Sequence, residues 1–181
     1  MKKEFTRTDS SVVKGVAILC LLFYHLFEHA ERVTTMQVDY RPFSLESFLL
    51  FSSFGNICVA IFVFLSSYGI AKGICEKERN GQQITFVQLF QMACGRYIKL
   101  TINFLAMFIS VNLLWFYKFD YAGLYGRGWQ GGLYVLLDAT GLSGLFKTFT
   151  INQTWWYMEL AIVIIFVVPL LYLVVKKLGY Y

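Results

Sequence analysis

Four long apolar blocks constrain this chain more than any other feature, each near the roughly 20 residues that an α-helix needs to cross a bilayer. They run from about Val12 to Phe27, Phe48 to Ala71, Tyr97 to Tyr117 and Trp155 to Val175. Hydrocarbon offers no water to a free N–H or C=O, and the blocks lack the alternation of barrel strands, so each must be a helix. Composition agrees: 57% of residues are hydrophobic and only 15% charged, too few charges for a soluble domain. The expectation is an all-α polytopic membrane protein, with residues 1–181 forming a single membrane domain. No repeat, low-complexity tract or Pro/Gly linker divides it.

Basic residues in short loops stay on the cytoplasmic side. Lys2, Lys3, Arg7 and Lys14 precede the first span; Lys72, Lys77, Arg79, Arg96 and Lys99 lie between the second and third; Lys176 and Lys177 follow the fourth. The opposite side holds Arg32, Arg41, Lys118, Arg127 and Lys147, so the N-terminus is expected in the cytoplasm. The basic residues flank spans and form no aromatic-interleaved patch, so nucleic acid is not an expected partner. No small-x-small cleavage site follows Phe27, and the first span reads as retained rather than as a signal peptide. The four cysteines form no C-x-x-C pair and read as small apolar packing groups. The stretch between Lys118 and Thr154 contains Asp138 and many glycines; it reads as lying against the membrane, with an interfacial or re-entrant segment allowed.

Ionisable residues inside a membrane are costly and therefore functional candidates. Here they are Lys14 and His25 in the first span, Glu28 and His29 at its outer end, Glu159 near the start of the fourth, and Arg96 and Lys99 at the inner end of the third. Lys14 and His25 stand eleven residues apart, about three turns plus 20°, and project from one helix face with a rise of about 16 Å. A histidine can serve as base and then acid near neutral pH. The plainer readings are that Lys14 snorkels to headgroups, that His25 bonds a neighbouring helix and that Arg96 and Lys99 only mark topology. His25-Leu26-Phe27-Glu28-His29 also matches the H-x-x-E-H zinc motif, but that motif needs a third ligand, and only Glu159 or Glu46 could be offered; no metal is expected.

Four phrases carry a family resemblance. Lys14-Gly15-Val16-Ala17 with Tyr24-His25 has the spacing of a first-span Arg-Gly-Ile-Ala and Tyr-His pair. Phe62-Val63-Phe64-Leu65-Ser66-Ser67-Tyr68, Arg96-Tyr97-Ile98-Lys99, and Asn152 to Glu159 with Pro169 beyond complete the pattern. In this order the chain resembles the acyltransferase 3 membrane proteins, which O-acylate sugars of bacterial envelopes. It departs in carrying Lys14 and Lys99 in place of arginines and Ser67 in place of glycine.

The resemblance implies a membrane O-acyltransferase of the bacterial inner membrane that moves an acyl group, acetyl by expectation, from acyl-CoA to a hydroxyl of an envelope polysaccharide or lipid-linked glycan. It implies His25 as the catalytic histidine and Lys14, Arg96 and Lys99 as ligands of the donor phosphates, with Glu159 orienting the acceptor or the histidine. The expected partners are acyl-CoA, the glycan acceptor and membrane lipids; no cofactor beyond the donor is expected. The family usually has more spans, so the chain reads as an N-terminal half, working with a second half or as a homo-oligomer. The alternative is a non-catalytic membrane protein: a transporter subunit or a degenerate acyltransferase half.

Overall fold

A computed structural model describes residues 5–29, 31, 35 and 39–179. Lys2, Lys3 and Arg32, which contribute to the charge bias, lie outside the described residues. Every regular element among the described residues is helical: α1 (Arg7–Phe27), α2 (Leu45–Ser53), α3 (Ile57–Arg79), α4 (Phe86–Trp115), α5 (Tyr121–Tyr125), α6 (Gly128–Ala139) and α7 (Trp156–Lys177), with short 3₁₀ turns between some of them. Four stretches are long and apolar enough to cross a membrane: Arg7–Phe27, Leu45–Arg79, Phe86–Lys118 and Gln153–Lys177. The chain is an all-α polytopic membrane protein, as its apolar blocks require.

Local signals explain where the helices outrun the apolar blocks. Helix α1 begins five residues ahead of Val12 because Thr6 and Asp9 close a capping box: Thr6 Oγ1 accepts from Asp9 N–H, and the Asp9 carboxylate accepts from Thr6 N–H at 2.9 Å. Helix α4 starts at Phe86, eleven residues ahead of Tyr97, on a second capping box between Thr85 and Gln88. Gln88 and Gln91 interrupt its first turns, which an apolar-run criterion therefore passes over. Helix α3 continues past Ala71 with Lys77 and Arg79 in its last turn, favoured by the helix dipole, and stops at Gly81, whose φ of 80° suits glycine.

The fold comprises two compact units, up to Tyr68 and from Gly69 onward. In the first, α1 packs on the 3₁₀ turn Phe54–Asn56 through Gly55: a Cβ there would stand 2.6 Å from Cys20 O and 2.8 Å from Tyr24 Cβ, so only glycine lets the backbones meet. Phe23 and Phe27 set their rings against Phe48 at centroid distances of 5.6 and 4.9 Å. Lipid tails are as apolar as these side chains, so what holds the unit is close van der Waals fit and polar bonds rather than escape from water.

In the second unit α4 and α7 run antiparallel, since Tyr97 meets Phe166 and Phe108 meets Trp155. Phe104, Phe108, Ala139, Trp155, Met158 and Ile162 form its buried core. Helix α7 starts at the level of Phe108, so α4 runs about 10 Å further before ending at Trp115. Helix α6 occupies that height. Its end, Ala139, sits in the core beside Phe104, and Tyr97 Oη donates to Thr140 O at 3.3 Å. Gly141, with φ 72°, then turns the chain back, Leu142 N–H bonding to Leu137 O at 2.8 Å. The stretch expected to lie against the membrane therefore folds back along α4. Pro169 lies inside α7.

Candidate functional site

The first unit presents Lys14 and His25 on one open face of α1. Ala17, Cys20 and Tyr24, the side that packs on Gly55, lie about 100° away round the helix. The imidazole is 45% exposed, enough for a substrate to reach it. Its Nδ1 stands 3.3 Å from Glu28 Oε2, one turn on. The other carboxylate oxygen, Oε1, stands 3.0 Å from His29 Nε2. A carboxylate beside Nδ1 stabilises a proton there, so the tautomer it favours leaves Nε2 as the basic atom. Lys14 is exposed and has no intramolecular partner among the described residues.

The H-x-x-E-H sequence behaves differently from a zinc motif. Both histidines place a ring nitrogen within 3.3 Å of the Glu28 carboxylate, which lies between them. No group of three or more His, Cys, Asp or Glu among the described residues is placed to hold a metal. Glu46, the other carboxylate offered as a third ligand, lies in the first turn of α2.

The second unit holds Arg96, Lys99 and Glu159. Arg96 is half-buried, its guanidinium packed on α3 at Gly73, where a Cβ would come within 3.3 Å of Nη2. Among the described residues no carboxylate, carbonyl or ring answers it. Five N–H donors left without acceptors in a low-dielectric setting are costly unless an anion completes them. Lys99, three residues on and exposed, lies on the same side of α4.

Glu159 stands apart from this pair. Seven residues before Phe166, the neighbour of Tyr97, it lies about 10 Å along the helix axis from that level. Its Oε1 accepts the Gly144 N–H at 2.7 Å, and Gly144 packs so closely that a Cβ would overlap the carboxylate.

Sequence reasoning gave no role to two carboxylates that the structure brings forward. Glu28 stands in the sequence only as an ionisable residue at the outer end of the first span and as part of the H-x-x-E-H match, whereas its i, i+3 spacing from His25 already makes it that ring's neighbour. Asp138 stands there only as part of the stretch expected to lie against the membrane. It is 1% exposed, accepts Tyr125 Oη–H at 2.6 Å and Ile151 N–H at 3.0 Å on Oδ2, and leaves Oδ1 unbonded. A lone acid in an apolar glycine-rich stretch was the available signal. Burial, and then the neighbouring Asp138, push the Tyr125 phenol well above its usual value. Outside the spans, hydrogen bonds from Arg41 hold the Asp39 carboxyl below its usual range.

A family model described as an acyltransferase domain matches residues 8–181. No curated protein and no solved structure matches the chain.

Proposed function

We propose, from the premise that this chain belongs to the acyltransferase 3 family, that it transfers an acyl group from acyl-CoA to a hydroxyl of an envelope or lipid-linked glycan. The observation that carries the reading is the His25–Glu28 pair on an open face of a membrane helix. Nε2 of His25 takes the proton of the acceptor hydroxyl; the resulting oxygen nucleophile attacks the thioester carbonyl; the C–S bond breaks; and the CoA thiolate recovers the proton from His25. Glu28 is a positioning residue. Its carboxylate, 3.3 Å from Nδ1, orients the imidazole.

Arg96 supports the donor assignment because no acceptor among the described residues meets its guanidinium, which fits a phosphate bidentately. Lys99 adds a point charge on the same side, and Lys14 offers one at the cytoplasmic end of α1, given the orientation set by basic residues. The pantetheine arm is what would carry the thioester the about 16 Å that separates the levels of Lys14 and His25. Glu159, held by Gly144, orients the acceptor hydroxyl. Acetyl is the acyl group proposed, and the bacterial inner membrane the location.

The test is transfer of label from radioactive acetyl-CoA to membrane glycans in vesicles carrying the chain. His25→Ala is expected to abolish transfer, and Glu28→Gln to lower it. Turnover retained by His25→Ala would remove the mechanism.

A further inference from the structure

A cleft of about 530 Å³ opens where α3 ends and α4 begins, lined by Lys77, Gln82, Gln83, Gln88, Gln91 and Met92, with Ile84. Its size falls in the range of small-molecule sites, about 300–1,000 Å³. The lining is unusual in kind: neutral amides dominate, one cation is present, and its described residues include no carboxylate. The amides of Gln82, Gln83 and Gln91 have no intramolecular partner among the described residues. Gln88 gives its Oε1 to the Thr85 N–H, which leaves its NH₂ free.

Two features give this cleft a direction. Gln91, Met92, Lys99 and Arg96 all project from one side of α4, within about 140° round the helix. Along the axis Arg96 stands about 7.5 Å from Gln91 and Lys99 about 12 Å, one to two turns deeper toward the spans. A ligand whose phosphates rest on Arg96 and Lys99 therefore has its next portion, away from the membrane, at the cleft.

A primary amide offers one acceptor and two donors in a plane. That pattern pairs bidentately with the amino group and adjacent ring nitrogen of adenine. Ile84 and Met92 supply apolar surface against which a flat ring can lie, Met with a polarisable sulfur. Lys77 adds a charge suited to a phosphate on the ribose. A lipid headgroup fits less well, because anionic lipid sites gather several cations and this cleft has one.

We infer that the cleft between α3 and α4 is the adenine subsite for the donor, read by the free amides of Gln83 and Gln91. The inference rests on the proposed acyl-CoA donor and deepens it: the same side of α4 holds the phosphates and the base. The base then acts as an anchor remote from the reacting carbonyl, contributing binding energy without touching the chemistry.

The experiment measures dissociation constants for acetyl-CoA and for acetyl-phosphopantetheine, which lacks the adenosine, on the full chain in detergent. Gln91→Leu and Gln83→Leu are compared with wild type and with Arg96→Ala; Gln83 sits in the loop, where no helix depends on it. Each glutamine variant is expected to weaken acetyl-CoA about tenfold, the value of one bidentate base contact, and to leave acetyl-phosphopantetheine unchanged, which also shows that the variant is folded. Acetyl-CoA bound as tightly as by wild type, or both ligands weakened alike, overturns the subsite; if Arg96→Ala still loses acetyl-CoA, the donor reading survives. Absence of acetyl-CoA binding by the wild type overturns both.

Discussion

The Tyr125 hydroxyl donates to Asp138 Oδ2 at 2.6 Å, and both side chains are shut away from solvent. This bond ties α5 to α6, and the Ile151 N–H on the same oxygen ties both to the strand of chain that leads back to α7. Tyr125→Phe removes one of the two donors on a buried carboxyl and is expected to destabilise the second unit by about 1–3 kcal/mol, read as a lower Tm in detergent. An unchanged Tm would mean that this segment is held by packing alone.

The same phenol gives a pH dependence of known sign. Its folded value is raised above the ordinary 10.0 by burial and by Asp138, so the folded state holds the proton more tightly than the unfolded state. Its contribution is complete below pH 10 and is lost as pH rises beyond it. The stability gap between wild type and Tyr125→Phe should therefore narrow above that pH. A gap that widens there would contradict the assignment.

Arg96 sets function against stability. A half-buried guanidinium that no acceptor among the described residues meets is a cost to folding, so Arg96→Leu should raise stability by roughly 1 kcal/mol while eliminating acetyl-CoA binding. Arg96→Lys keeps the charge, loses the planar fork and should bind the donor at intermediate strength. Thermal unfolding and binding on the same samples separate the two effects.

Gly144 and Glu159 form one unit of structure. Gly144→Ala places a methyl group where the carboxylate lies, so it should lower turnover about as much as Glu159→Ala. The double variant should then be little worse than either single one, the non-additivity of residues acting on one feature. Additive losses in a transfer assay would separate them.

Gly55 fixes α1 within the first unit. Gly55→Ala sets a Cβ 2.6 Å from Cys20 O, a backbone atom that cannot rotate aside, and is expected to cost about 1–3 kcal/mol. Because the shift carries His25 with it, turnover should fall while acetyl-CoA affinity at Arg96 stays as in wild type. Equal loss of both would point to unfolding instead.

The spans were legible because their apolar runs are long, and His25 because a histidine in such a run is conspicuous. The extra turns of α4 were not, because a search for apolar length ignores a capped amphipathic start such as Thr85 to Gln88. The path of α6 back along α4 was open in outline only. Gly141 and Asp138 permit it, but the turn at Thr140 is fixed by Tyr97 and Met158, which are distant in sequence. Arg96 was recognised as basic, yet its lack of a partner is a property of the whole unit. The His25–Glu28 contact lay within reach, since one helical turn separates the two residues.

Pro169 has no N–H, so the carbonyl of Ile165 loses its helical partner inside α7. Below that gap, Tyr172 and Lys176 are fastened to Glu78. Above it, Glu159 is fastened to Gly144. The helix thus carries its missing backbone bond between two side-chain moorings, one toward each end.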